Sequence, residues 1–249
     1  MDSAYVIGNG ESRSIFPIED LKDKGVVWGC NAIYRDHPTL CDNIVAVNPP
    51  MYDEVKAWYE KENPSCKLYG IEDVSKWDFI LDLDHDQQVP EGLKLYRKWS
   101  GTDVRNPNKG IKVLDFTTSR GSGCSAVLLA AESGVKNIFI IAFDIIGAKQ
   151  WQYDWSVTSR EQNNIYKNSE NYPSRMNMKA YLKYEWLFQL RQIWRKFPNT
   201  NFYLINRKEN LEGNKFLPGY CDQKNIKCGT YADLRRWVDG NKHFKGFPL

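Results

Sequence analysis

Segment 137–143 constrains the fold more than any other part of the chain. It reads Asn-Ile-Phe-Ile-Ile-Ala-Phe, and it is apolar at nearly every position. A strand with that pattern is covered on both faces, and parallel sheets provide such cover because crossover helices lie on both of their faces. The segment therefore predicts a central parallel strand within an α/β fold.

Shorter apolar runs alternate with helical patterns along the rest of the chain, which favours a mostly parallel sheet. We expect a Rossmann-like α/β fold in which one nucleotide-binding domain spans residues 1–249. It carries an irregular insertion at 82–110 and an aromatic lid at 147–175. Strands are predicted at 4–7, 26–30, 43–47, 79–81, 113–116, 137–143 and 202–205, and helices at 51–60, 124–133, 176–197 and 231–238.

Composition narrows the class of protein. Hydrophobic residues make up 42% of the chain and aromatic residues 14%, which supports a packed core and argues against disorder. A net charge of +3 is too small to indicate nucleic-acid binding. There is no signal-peptide pattern and no apolar stretch of the ~20 residues that span a bilayer. We expect a cytoplasmic protein, and peripheral membrane contact and homo-oligomer formation both stay open.

The six cysteines show no CxxC spacing of the kind found in zinc or redox sites. Cys221 and Cys228 are near enough in sequence to form a bridge. However, a chain of this size does not need a disulfide to fold, and scattered reduced thiols are typical of cytosolic proteins. Reduced thiols are therefore the expectation.

The loop 8–12 follows the first predicted strand and reads Gly-Asn-Gly-Glu-Ser. Its glycines, Gly8 and Gly10, permit positive φ and let a ligand approach the backbone, so that loop amides can face an anion. We take Gly8, Asn9, Gly10 and Ser12 as candidate ligand contacts. An ordinary strand-to-helix turn is the alternative.

A second candidate segment, 119–123, precedes a predicted helix. Free amides at a helix N-terminus attract anions, Arg120 can bind a phosphate through two hydrogen bonds, and the serines supply hydroxyls. The alternative is a helix cap with a solvated arginine. The candidate ligand contacts in this segment are Ser119, Arg120, Gly121, Ser122 and Gly123.

Single polar residues also follow predicted strands. Asn31 and Asn48 each offer an amide donor and acceptor that suit a base or a ribose, although turn capping is an equal alternative. Asp144 follows the central strand, where a carboxylate faces a ligand or caps a turn. Aromatic residues between 151 and 172 suit stacking on a sugar or base, or packing within the lid. The acidic segment 82–86 has the oxygen ligands that magnesium prefers, but a solvated loop is the favoured interpretation.

Taken together, these segments resemble the bacterial sialyltransferases that act on lipooligosaccharide. The similarity extends from the first strand to Asn206, in matching order and spacing, with large gaps between Asn63 and Thr117. It includes segment 6–12, where the family usually has proline in place of Glu11. The other matching segments are 30–34, 48–49, 121–123, 126–131, Asp144 and 179–180.

This resemblance implies that Asn9, Asn31 and Asn48 contact the cytidine monophosphate (CMP) part of a donor sugar. It also implies that Ser122 and its neighbours hold the phosphate or the sugar carboxylate. The reaction would be a metal-independent, inverting transfer that needs no cofactor. The partners would be a small-molecule nucleotide sugar and a glycan or another hydroxyl acceptor.

The chain departs from this family at the general base. The family has a histidine in the loop before its last long helix, whereas segment 171–175 here reads Asn-Tyr-Pro-Ser-Arg. Asp144, Tyr153 and Asp154 are therefore the candidate catalytic residues.

Two other functions stay open. Hydroxymethylpterin pyrophosphokinase-like proteins are more loosely similar at Gly-Asn-Gly-x-Ser and at the aspartate after the central strand, which implies magnesium-dependent phosphate transfer. Asp82, Asp84 or Asp144 would then supply the magnesium ligands. A nucleotide-binding protein that has lost its general base is the third alternative.

Overall fold

The computed structural model describes residues 2–47, 49–70, 112–113, 121–144, 180–212 and 217–248. Within these ranges the strands form one eight-stranded sheet in the order β5-β4-β3-β2-β1-β6-β7-β8. The strands are β1 (Ser3–Ile7), β2 (Val26–Cys30), β3 (Asn43–Ala46), β4 (Lys67–Gly70), β5 (Lys112–Val113), β6 (Asn137–Ile141), β7 (Asn201–Asn206) and β8 (Ile226–Thr230). The helices are α1 (Pro49–Glu62), α2 (Ser122–Glu132), α3 (Ala180–Lys196), α4 (Lys208–Glu212), α5 (Leu217–Tyr220) and α6 (Tyr231–Val238). Three 3₁₀ helices cover Glu11–Ile15, Ile18–Leu21 and Asn31–Arg35.

Every neighbouring pair of strands is parallel, which confirms the predicted Rossmann-like α/β fold. All five residues of β1 are buried, because the sheet is covered on both faces. Alternate residues of a strand point to opposite faces, so Tyr5 and Ile7 join one hydrophobic cluster and Ala4 and Val6 the other. Helices α2 and α3 pack on the second of these faces.

An aromatic ladder fixes the register of the central strands. Tyr5, Phe139 and Tyr203 are direct partners across β1, β6 and β7. Their rings stack with centroids 5.3 Å apart for Tyr5 and Phe139, and 4.6 Å apart for Phe139 and Tyr203. Trp237 of α6 and Phe244 cover the ladder from the same face. A slip of one residue would turn these rings to the opposite face.

The strand order places a topological switch point beside β1. The chain runs outward from β1 through β2, β3, β4 and β5, and it returns through α2 to β6 on the other side of β1. The switch point therefore lies between β1 and β6, at the carboxyl edge of the sheet. Ligands of open α/β sheets bind at such points.

The predicted elements agree with the structure except at some ends. The strand predicted at 137–143 is two residues too long, because Ala142 turns the chain out of the strand with φ of 57°. Gly134 has φ of 80° after α2, as expected of a residue that ends a helix. Strands β4 and β8 were not predicted. The predicted strand at 79–81, the insertion at 82–110 and the lid at 147–175 lie outside the described residues.

None of the six cysteines forms a disulfide, and the sulfurs of Cys221 and Cys228 lie 3.7 Å apart. In the part of the chain that the structure describes, none of the helices combines the length and apolar character needed to cross a membrane.

Candidate functional site at the carboxyl edge of the sheet

The loop 8–12 is joined to the chain that leaves β6 by backbone hydrogen bonds. The N–H of Gly8 donates to the carbonyl of Ile141 at 2.8 Å, and the N–H of Gly10 donates to that of Ala142 at 3.1 Å. The amides of Gly8 and Gly10 thus donate to carbonyl groups within the protein, so the expectation that loop amides face an anion does not hold for these two. A ligand contact at Gly8 or Gly10 would have to use other atoms.

The glycines of this loop are required for close approach to the neighbouring loop. A Cβ on Gly8 would lie 2.5 Å from the carbonyl oxygen of Ala142. A Cβ on Gly10 would lie 2.6 Å from the same oxygen, and closer still to the carboxylate of Asp144. Real Cβ atoms essentially never approach other atoms this closely. The Gly-x-Gly pattern therefore serves the packing of two loops.

Asp144 lies three residues after the end of β6 and accepts two hydrogen bonds from Ser12. The backbone N–H of Ser12 donates to Oδ2 at 2.8 Å, and the hydroxyl of Ser12 donates to Oδ1. Burial raises the pKa of Asp144 above its ordinary value of 3.8, and the hydrogen bonds from Ser12 oppose that shift. The sequence predicted both residues as site residues but did not predict their contact.

Tyr231, the first residue of α6, directly follows β8 and extends this network. Its hydroxyl lies 2.8 Å from the hydroxyl of Ser12. Because Ser12 uses its single proton toward an ionised Asp144, Tyr231 must be the donor to Ser12. Burial raises the pKa of Tyr231, so its phenol stays protonated for that role. The carboxyl end of β8 thus contributes to a site that the sequence placed on β1, β2, β3 and β6.

Asn31 lies at the carboxyl end of β2 with a strained backbone. Its φ is 50°, a left-handed value that Asn tolerates better than most residues. The residue is buried, and its Oδ1 has no hydrogen-bond partner among the described residues. A buried acceptor left without a donor costs roughly 1–3 kcal/mol. An outlier of this kind is typical of functional sites.

Asn9 lies beside the end of β2. Its Nδ2 donates to the carbonyl oxygen of Cys30 at 3.0 Å. The side chain of Asn9 thus connects the loop after β1 to the last residue of β2. Asn9 and Asn31 are placed at the ends of adjacent strands, as the sequence predicted.

The start of α2 packs against β3 and α3. The hydroxyl of Ser122 accepts a hydrogen bond from the N–H of Val47 at 3.0 Å, and the N–H of Gly121 donates to Oε1 of Gln189 at 3.2 Å. A Cβ on Gly123 would lie 2.8 Å from the ring of Phe143. These contacts hold the N-terminus of α2 at the carboxyl edge of the sheet.

Asn206, the last residue of β7, and Arg207, which follows it, also lie at this edge and were missed by the sequence analysis. Asn206 is fully buried, and its Oδ1 accepts hydrogen bonds from the N–H of Arg207 and from Nδ2 of Asn210. The guanidinium of Arg207 pairs with Glu11 at 3.5 Å. Neither residue belongs to a local motif, because only the parallel pairing of β6 with β7 brings them to the site.

Several predicted site residues lie outside the described ranges: Asn48, Ser119, Arg120, Tyr153 and Asp154. The acidic residues of 82–86 lie outside them as well. Across the described residues, no group of three or more His, Cys, Asp or Glu side chains is arranged to hold a metal ion.

No protein-family model matches this chain, and no curated protein sequence matches it. Among solved structures, the α-2,3-sialyltransferase of Campylobacter jejuni in its apo form is similar, with a TM-score of 0.41 and 15% sequence identity. The similarity covers 82% of this chain and 75% of that chain. Similarity at this level assigns the chain to no family, so its function must be inferred from the site itself.

Proposed function

We propose that this protein is a glycosyltransferase-like enzyme that binds a nucleotide-activated sugar at the carboxyl edge of the sheet, near the ends of β1, β2 and β6. It transfers the sugar to a hydroxyl group of a glycan or another acceptor. The observation that carries this proposal is the buried amide of Asn31, whose oxygen accepts no hydrogen bond from the described residues.

A nucleotide supplies the donor that this oxygen lacks. The exocyclic amine of a base and the hydroxyls of a ribose are donors, and a preformed acceptor at the end of a strand can distinguish a group that donates from one that does not. The resemblance of the sequence segments to sialyltransferases makes a CMP-sugar the first candidate. In this proposal Asn9 and Asn48 complete the nucleotide contacts, together with the loop 8–12 and segment 119–123.

Asp144 is the described candidate for the general base. A base works best when its pKa lies near the working pH, and burial moves the pKa of Asp144 in that direction. Asp144 also sits at the switch point, beside Ser12, where an acceptor hydroxyl would approach the bound sugar. Tyr153 and Asp154 of segment 147–175 are the other candidates for this role. In this proposal transfer needs no cofactor.

A thermal-shift screen tests the binding step. We expect CMP or a CMP-sugar to stabilise the protein, by about 2.7 kcal/mol when the ligand is held at 100 times its Kd. Asn31→Ala should abolish that stabilisation. A screen of nucleotides and nucleotide sugars in which none stabilises the wild type would refute the proposal.

Transfer assays then separate the three functions that the sequence left open. If Asp144→Asn loses sugar transfer but still binds the nucleotide sugar, the protein is a glycosyltransferase-like enzyme. Binding that requires magnesium, with release of pyrophosphate or transfer of a phosphoryl group, supports a pyrophosphokinase instead. Nucleotide binding with no turnover on any acceptor tested supports a non-catalytic binding protein.

A further inference from the structure

Arg207 differs from the other ion-paired arginines of the described residues in how weakly it is held. Its ion pair with Glu11 is 3.5 Å long, and the Glu11 side chain is 44% exposed. Arg235, by comparison, reaches Asp20 at 2.8 Å. The Nε of Arg207 is buried and has no hydrogen-bond partner among the residues described. Part of its guanidinium edge is thus unoccupied.

The backbone beneath this side chain is firmly placed. The N–H of Arg207 donates to Oδ1 of Asn206 at 2.8 Å, and the Asn206 side chain is fully buried. Nδ2 of Asn206 reaches back to the carbonyl of Phe143 at 3.4 Å, which ties the end of β7 to the end of β6. The backbone of Arg207 is therefore held in place by hydrogen bonds, whereas its guanidinium makes only a long ion pair within the described part of the chain.

The guanidinium interacts with charged and polar groups of the candidate site. Its partner Glu11 belongs to the loop after β1, and its positive charge acts on both Asp144 and Tyr231. No hydrogen bond joins Arg207 to the carboxylate of Asp144, which is occupied by Ser12. Arg207 therefore adds positive charge to the candidate site, and its guanidinium is not hydrogen-bonded to Asp144.

We propose that Arg207 is an oxyanion-binding residue of this site: its guanidinium exchanges Glu11 for a two-oxygen anionic group of the ligand. This inference rests on the proposed function for the identity of the ligand. A guanidinium binds phosphate or carboxylate through two parallel hydrogen bonds, which the long contact with Glu11 does not provide. Glu11 holds the arginine in place until the anion displaces it.

Calorimetry with four probes tests this exchange: inorganic pyrophosphate, CMP, cytidine and CMP-sialic acid. Arg207→Gln should weaken oxyanion binding by about tenfold or more, because charge-assisted hydrogen bonds are lost. Cytidine carries no anion, so its affinity should not change. A loss already seen with CMP assigns the phosphate, whereas a loss seen only with CMP-sialic acid assigns the sugar carboxylate.

Glu11→Gln gives an independent test that does not remove the arginine. This variant should bind the same oxyanions more tightly than the wild type, because the competing carboxylate is gone. The double variant should bind like Arg207→Gln alone. Arg195→Gln, which changes an exposed arginine at the end of α3, is the control for loss of one positive charge.

The outcomes separate this inference from the proposed function. Equal affinities of the wild type and Arg207→Gln for both CMP and CMP-sialic acid overturn the inference and leave the function intact, as does weaker or unchanged oxyanion binding by Glu11→Gln. Pyrophosphate binding that depends on Arg207, without binding or transfer of any nucleotide sugar, supports the inference and refutes the function. If none of the probes binds to the wild type, the inference is overturned, and the screen of other nucleotides and nucleotide sugars decides the function.

Discussion

The backbone N–H of Ser12 donates to Oδ2 of Asp144 at 2.8 Å, and the two residues are 132 positions apart in the sequence. The Ser12 hydroxyl binds the other carboxylate oxygen, so one residue holds both oxygens of Asp144. The carboxylate therefore has a fixed orientation before any ligand arrives. Such preorganisation is a requirement for a catalytic group.

Ser12→Ala should raise the pKa of Asp144 further. The Ser12 hydroxyl stabilises the ionised carboxylate, so its removal leaves burial less opposed. NMR titration of the Asp144 carboxyl carbon measures the change directly. Ser133→Ala, at an exposed serine after α2, should leave that titration where it is in the wild type. A lower pKa in Ser12→Ala would contradict this account of the contact.

Asp144→Asn should change how stability depends on pH. The folded-state pKa of Asp144 is raised, so ionisation costs the native state more than the unfolded state. The contribution that Asp144 makes to stability is therefore fully present below its unfolded pKa of about 3.8, and it is lost as pH rises through the folded pKa. Urea unfolding at pH 3 and pH 7 should show the wild type losing stability relative to Asp144→Asn. If the wild type kept or gained stability relative to Asp144→Asn between pH 3 and pH 7, this account of Asp144 would be wrong.

Gly10→Ala should destabilise the protein by about 1–3 kcal/mol, the usual effect of overpacking a well-packed site. The new methyl group would meet the carbonyl of Ala142 and the carboxylate of Asp144, so the two loops would have to separate. The matched control is Gly219→Ala, because a Cβ there meets nothing within 4 Å. Chemical denaturation compares the two variants. Equal stabilities would show that the loops adapt without cost.

Substitutions at Asn31 distinguish backbone strain from ligand binding. Asn31→Ala should be less stable than Asn31→Gly by about 1 kcal/mol, because both lack the unpartnered amide and alanine tolerates a left-handed φ less well. Asn31→Gly should be at least as stable as the wild type, since glycine adopts this φ without strain. Both variants should lose nucleotide affinity, because both lack the amide. If Asn31→Gly still bound nucleotide normally, the residue would have only a conformational role.

Much of the fold could be predicted because its central strands are short and almost wholly apolar. Strands β4 and β8 were missed for a physical reason. They lie toward the two edges of the sheet, where exposed lysines such as Lys67 and Lys227 interrupt the apolar pattern. The end of β6 was placed too late because Ala142 and Phe143 are buried although they are no longer in the strand. Hydrophobicity reports burial, and here burial continues beyond the last residue of the strand.

The site could be predicted only where it follows local patterns. Gly8, Gly10, Asn31 and Asp144 each directly follow a strand or lie close after one, so the general rule for parallel sheets places them together. Tyr231 and Arg207 were not predicted, because they reach the site only through the pairing of β7 with β6 and β8. The role of the glycines was also misjudged, since their close contact with β6 cannot be read from the loop sequence.

The hydrogen bond between Ser12 and Tyr231 joins residues separated by 219 positions, almost the whole chain. A fragment that lacks either Ser12 or Tyr231 therefore cannot form this hydrogen-bond network, even if the fragment folds. Loop closure over such a distance is entropically unfavourable until the intervening strands have paired, so the site should form late on the folding pathway. During refolding, recovery of ligand binding should then lag behind recovery of secondary structure.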